Sequence, residues 1–255
     1  MRLDNISANI RKLKFKYFRE NIQRAIAIHG VWGTVRICFL NAFDYVFWFT
    51  PARRRSRVRD SEFDKKWGTD TQGKMIPDRA DVVGSNWMHG VKYEGCDDTS
   101  LREVLEMIDI KYEDFTFVDL GSGKGRSIFV ASHFPFQRII GVEYSKKLCD
   151  ISRYNLSYIP NTEKKCKAID IINADAADYQ IPEGALIIFL NNPFGGQVMK
   201  QVVHNVIASY RNAPRRIIVI YFVPHFADFW RKSKIFQEIE RTKNRAIYDT
   251  DGLRY

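Results

Sequence analysis

The chain has 255 residues, 45% of them hydrophobic, and a formal net charge of +10; that length can bury one substantial core. Its four cysteines, Cys38, Cys96, Cys149 and Cys166, show neither metal-ligand nor C-x-x-C spacing, which reads as reduced thiols in a cytoplasmic protein. Residues 1–80 hold 17 Lys+Arg against 8 Asp+Glu, and the remainder 23 against 22, so almost all the excess charge lies in the N-terminal third.

Ile6, Ile10, Leu13 and Tyr17 recur at helical spacing among Arg11, Lys12, Lys14, Lys16 and Arg19, a basic amphipathic pattern. It lacks the compact apolar stretch and small-residue cleavage site of a secretory signal. The run from Ile37 to Pro51 is too short, and too interrupted by Asn41 and Asp44, to span a bilayer. The cluster ARRRSRVR follows, with Arg53, Arg54 and Arg55 at its centre. Three readings stay open for this extension. It is a helical cap whose charges are solvated, a surface that attaches peripherally to an anionic membrane, or one that holds nucleic-acid phosphates. The expected organisation is a basic helical extension with a connecting loop over residues 1–80, then a catalytic domain over 81–255.

Within the second part, strands and helices alternate, which predicts an α/β fold. Thr99–Ile110 places Leu101, Val104, Leu105 and Ile108 on one helical face, with Ser100 and Glu103 spaced as a capping box. Helices also fit Lys124–His133, Lys146–Tyr158 and Gln197–Tyr210. Arg215–Pro224 reads as a buried strand, Phe236–Tyr255 as two more, and His204 as a solvated helix residue.

The most informative stretch is FVDLGSGKGRS, Phe117 to Ser127. An apolar strand ends in Asp119 and enters a turn with Gly121, Gly123 and Gly125, where the backbone can approach a ligand closely and a helix start offers free N–H groups. A P-loop is excluded because Lys124 is followed by Gly125, and the dinucleotide spacing G-x-G-x-x-G is missed by one residue. Arg138–Ser145 is a second strand, closed by Glu143, an acid placed to bond a ribose diol. Ala168–Tyr179 holds Asp175-Ala176. Ala185–Leu190 is an apolar run typical of a central strand, ending in Asn191-Asn192-Pro193-Phe194. Ligands of open α/β sheets lie beyond the carboxyl ends of the strands, so both amides face the reacting centre.

The glycine-rich loop closely resembles motif I of the class I S-adenosylmethionine (SAM) methyltransferases, and the later elements follow in that family's order, from roughly Thr99 to Tyr255. The resemblance implies a Rossmann-like seven-stranded sheet with helices on both faces and an antiparallel tail. It implies SAM as cofactor and S-adenosylhomocysteine as product. Gly121, Ser122, Gly123 and Gly125 would wrap the methionine, with Asp119 fixing its amino group. Glu143 would hold the ribose, Asp175 and Ala176 the adenine (Asp178 being the poorer fit), and Asn191 would border cofactor and acceptor alike. Tyr93 would close over the cofactor, and Lys124 is expected to be solvated at the helix start.

Residues Phe63–Lys74 resemble an FD-x-x-x-G-x-DT segment found ahead of motif I in a bacterial set of methyltransferases. That likeness puts Asp64, Gly68, Asp70 and Thr71 on the substrate side; a plain interdomain loop is the other reading. For the acceptor, Asn191-Asn192-Pro193-Phe194 keeps three positions of the [DNS]-P-P-[YF] motif of amino methyltransferases and loses its first proline. Asn191 and Asn192 match an N-N-F-containing motif of DOT1-like lysine methyltransferases, whose motif I is also typically VDLGSG, while Pro193 departs from it. Both likenesses favour nitrogen. An amine must be neutral to attack, and the Asn191 amide oxygen can accept its protons; Phe194 would wall the acceptor pocket. No metal is required. Two alternatives remain: a SAM-binding protein without methyl transfer, and a membrane- or nucleic-acid-associated adaptor that retains the fold.

Overall fold

The computed structural model describes residues 51–75, 77, 81–86 and 93–252, together with Val31 and Val35. The amphipathic helix expected around Ile6–Arg19, the aromatic run after Ile37, and Cys38 lie outside the described residues. Compact units divide between Arg59 and Asp60, so residues 60–80 fall with the C-terminal unit, ahead of the boundary that charge suggested. The C-terminal unit alone concerns the site.

A helix, α1 (Pro51–Trp67), precedes α2 (Asp98–Met107). Helix α2 is capped by Asp97, whose carboxylate accepts from the Ser100 N–H at 3.0 Å. This corrects the expected Ser100–Glu103 capping box: the helix starts earlier, and Ser100 lies inside its first turn. There follow β1 (Phe115–Leu120), α3 (Arg126–Ala131), β2 (Arg138–Glu143), α4 (Lys146–Leu156), β3 (Ile169–Asn173) and β4 (Ala185–Asn191). The chain continues through α5 (Gly196–Asn212), β5 (Ile217–Phe222), α6 (Ala227–Arg231), β6 (Gln237–Arg241) and β7 (Arg245–Asp249). The helix beginning at Gly125–Arg126 starts after the expected Lys124, because Gly125 takes φ 83° and cannot be part of an α-turn.

The seven strands run in the order β3-β2-β1-β4-β5-β7-β6. The first five are parallel, and β7 is antiparallel to both its neighbours. Strands β1 and β5 are buried along their whole length; β5 is the continuous apolar run that a doubly covered sheet calls for, while β1 also buries Thr116 and Asp119. Side chains alternate between two cores. Val118, Leu120, Ile188 and Leu190 pack with Val198, Met199 and Val202 of α5 on one face. Phe117, Ile187 and Phe189 pack with Leu101, Val104 and Leu105 of α2 and Ile128 and Phe129 of α3 on the other. The strand order reverses between β1 and β4, so their carboxyl ends open a crevice where Asp119 and Asn191 lie.

Candidate active site

Strand β1 delivers Asp119 into the interior, and the glycine turn then folds back over β2. The Gly121 and Ser122 amides donate to the Val142 carbonyl at 2.8 and 3.0 Å, and Gly125 N–H closes the turn on Ser122 O at 2.9 Å. Glu143 fastens it from below: its Oε2 accepts from Gly123 N–H and its Oε1 from Ser145 N–H, both at 2.9 Å. Each carboxylate oxygen has a second lone pair, so Glu143 can still accept from a ligand's hydroxyls.

The loop is crowded on its ligand side. A β-carbon at Gly121 (φ 92°) would stand 2.4 Å from Pro193 Cβ, and one at Gly123 (φ 54°) 2.3 Å from the Tyr93 ring. Tyr93 therefore does lie against the loop, pinned by its hydroxyl, which donates to the Thr71 carbonyl at 2.5 Å. We expect Gly123→Ala to cost about 1–2 kcal/mol for the left-handed backbone alone, with the ring clash added. Calorimetry should show cofactor affinity at least about tenfold weaker, since the loop must move. Wild-type affinity would mean that the loop yields without consequence.

Beside these residues lies a cleft that is open at its mouth. Gly121, Gly123, Glu143, Asp175, Ala176 and the whole of Asn191–Phe194 line it. A smaller hollow of about 230 Å³, bordered by Asp119, Gly121, Ser122 and Asn191, adjoins it. Of the expected cofactor residues, Gly125 alone faces neither space. A β-carbon there would meet Ser152 Oγ at 2.3 Å, so its smallness serves the packing of α4 instead. Ser122 lies over Gly141 of β2, where a side chain would come within 2.8 Å of its hydroxyl.

Burial shapes the electrostatics. Asp119 is 2% exposed; burial foremost, with Glu143 adding repulsion against a bond from Ser127, lifts its carboxyl to about 7. Glu143 is likewise lifted to about 7 by burial, against the bonds from Ser145 and Gly123. Asp175 is buried too, accepting from Ala177 N–H and from the Asn86 amide, both at 2.9 Å. Asp178 is exposed. Asn86 and Pro77 line the cleft without any sequence signal; ahead of Asn86, Val82 bridges to Ser145.

At the carboxyl end of β4, Asn192 adopts φ 45°, a conformation asparagine tolerates, and its N–H reaches Phe222 O at 3.2 Å. The turn brings Pro193 onto Gly121 and buries Phe194 at the cleft wall. Asn191 donates through Nδ2 to the Glu94 carbonyl at 3.1 Å. Two expectations fail here. Lys124 is not solvated: it is buried and donates to Asp70 Oδ1 and Gln72 O at 2.8 and 2.9 Å. Asp64, Gly68, Asp70 and Thr71 do not line the cleft either. Asp64 instead accepts from Thr69, Thr71 and Gln72, curling that segment into a turn behind the loop.

The residues present fit SAM. Asp119 Oδ1 is a buried acceptor without a partner among the described residues, suited to an ammonium. The bare glycines let Pro193 and Tyr93 close onto the loop, and Glu143 keeps acceptor capacity for a diol. Fold and cleft define a class I SAM-dependent methyltransferase. The family model described as "Histone methylation protein DOT1" matches residues 91–247, and the chain belongs to that family. Comparison with curated proteins gave no match. Among solved structures, a predicted N6-adenine-specific DNA methylase from Listeria monocytogenes is similar at 14% identity and a TM-score of 0.46, over 62% of this chain and 52% of its own. An RNA methyltransferase from Salinibacter ruber, in complex with S-adenosyl-L-homocysteine, is similar at 14% identity and a TM-score of 0.41, over 60% of this chain and 90% of its own. The chain thus spans about half the length of the first of these. Among the described residues, no helix is long and apolar enough to cross a membrane.

Proposed function

We propose that the chain methylates nitrogen, with an amine of the lysine side-chain type as acceptor. One observation carries this reading. One N–H of the Asn191 amide is spent on Glu94 O, and among the described residues no bond is made to Oδ1, which is left able to accept. A hydroxyl acceptor needs a base for one proton; an amine needs acceptors for the protons that remain while its lone pair attacks. The description of the family, histone methylation, agrees with a protein amine.

Bound SAM supplies a methyl group already activated on a sulfonium cation. The work of the chain is alignment and exclusion of water. Asn191 orients the amine, and Phe194 and Pro193, fixed against α5 and Gly121, wall the approach. The buried acids at Asp119 and Glu143 would hold the cofactor's methionine ammonium and its ribose diol. The test is transfer of isotope-labelled methyl to three sets of acceptors: lysine-bearing proteins and peptides, nucleic acids, and small hydroxyl compounds. Mass spectrometry then assigns the atom. Label on lysine nitrogen is expected; label confined to oxygen would overturn the proposal.

A further inference from the structure

Among the described residues, five buried side-chain atoms lack a hydrogen-bond partner: Asp119 Oδ1, Ser122 Oγ, Arg126 Nη2, Ser152 Oγ and Trp230 Nε1. The first three belong to residues that line one space, the small hollow beside the glycine turn. Such orphans are rare in native proteins, and each calls for an explanation. Here an unpaired carboxylate oxygen and an unpaired guanidinium nitrogen belong to two side chains that border the same hollow.

Arg126 is 2% exposed and held on every other side. Its Nε donates to Thr71 Oγ1 at 2.8 Å, and its Nη1 donates to Asp60 and, at 3.2 Å, to Cys96 O. The guanidinium carbon lies 5.1 Å from the Phe63 ring centre, within cation–π range. Gly95 leaves it space: a β-carbon there would stand 3.0 Å from Arg126 Cζ and from Thr71 O. A guanidinium has five N–H donors in a rigid fork. Three are spoken for, and the two on Nη2 are not. The Thr71 hydroxyl that orients the fork donates in turn to Asp64 Oδ1 at 2.6 Å. Asp60, Asp64 and Thr71 all lie outside the segment 91–247 that matches the family.

We propose that Arg126 is a cofactor-binding residue whose Nη2 reads the carboxylate of the methionine end, and that Thr71 is its positioning residue. The Asp60–Gln72 segment is then a clasp that completes the cofactor site from outside the family's own motifs. An α-amino acid head presents one cation and one anion side by side, and the hollow presents the opposite pair. The pairing also sets donor specificity. An adenosyl sulfonium that carries only an aminopropyl chain leaves Arg126 unsatisfied, and a site that leaves a buried charge unpaired rejects the analogue.

The inference rests on the cofactor reading above and is tested by binding, not turnover. The full chain is titrated by calorimetry with S-adenosylhomocysteine and with its decarboxylated analogue. Wild type is expected to favour the carboxylate-bearing ligand by about tenfold to a hundredfold, the range for a charge-assisted bond. Arg126→Met should bring the two ligands to within about threefold. Thr71→Val should narrow the gap, and Thr71→Ser, which keeps the hydroxyl, should restore it. Equal affinity of wild type for both ligands would overturn the assignment, even if Arg126→Met does not fold. So would a Thr71→Val protein that loses affinity for both ligands alike, since the residue would then be merely structural. Failure of wild type to bind either ligand would overturn the cofactor reading itself, and this inference with it.

Discussion

Replacing Asp119 by Asn is expected to weaken SAM binding about a hundredfold, the loss of one charge-assisted contact in a dry site, while stabilising the unliganded protein above neutral pH. The second half of that result follows from linkage. Burial lifts Asp119 and Glu143 to about 7, whereas in an unfolded chain both would titrate near 4. Below about pH 4 the folded and unfolded states are both protonated and the groups cost nothing. Between about pH 4 and 7 the unfolded chain releases protons that the folded one retains, so stability falls as pH rises through that window. An ammonium-bearing ligand selects the ionised carboxylate. Thermal stabilisation by SAM should therefore be small at pH 6 and grow towards 7.5, and in the D119N variant this pH dependence should be reduced to what Glu143 contributes. A variant that binds SAM as wild type does would remove Asp119 from the site.

Asn191→Ala is expected to lower kcat about a hundredfold, in the range for groups that assist proton handling, with SAM affinity changed by less than about threefold. The split is diagnostic because Asn191 borders both spaces, while under the proposed function its free acceptor would address the incoming amine. Asn191→Asp should behave differently. A carboxylate there holds the acceptor in its charged, unreactive form, so activity should fall at neutral pH and recover as pH rises. Measured kcat and calorimetric affinity across pH 7–9.5 check both variants. Equal losses in kcat and in SAM affinity for Asn191→Ala would make the residue part of the cofactor site alone.

The core of the fold was legible in the sequence because parallel strands buried on both faces must be apolar throughout. Ile139–Val142, Ala185–Leu190 and Ile217–Phe222 announce themselves as such runs, and Phe117–Leu120 does so but for Asp119. The cleft was legible where strand ends carry acids, amides and glycines, as at Asp119, Glu143 and Asn191. What stayed hidden has no period. Arg126 meets Thr71 and Asp60, and Lys124 meets Asp70 and Gln72, across chain reversals of more than fifty positions, and a buried arginine or lysine looks like a solvated one until its partners are known. Gly125 carries a related ambiguity: it packs on Ser152 of α4, and a glycine spared for a neighbouring helix reads no differently from one spared for a ligand. The Ser100–Glu103 spacing, likewise, matched a capping box that Asp97 pre-empted by starting the helix earlier.

The two rims of the sheet carry a further consequence. The outer strands, β3 and β6, each present backbone groups to whatever approaches. Strand β6 breaks its register between Glu238 and Glu240 and is edged by ion pairs of Arg241 with Glu238 and of Arg245 with Glu240. Strand β3 has Asp170 held to Arg138 at 2.7 Å, and its Ile171 carbonyl already accepts from Arg153 at 2.8 Å. A foreign strand adding to either rim would meet a kinked, charged or pre-occupied ladder. Chains crowded together at high concentration therefore gain little by extending one another's sheets, and resistance to amyloid-like stacking is built into the same topology that opens the cleft.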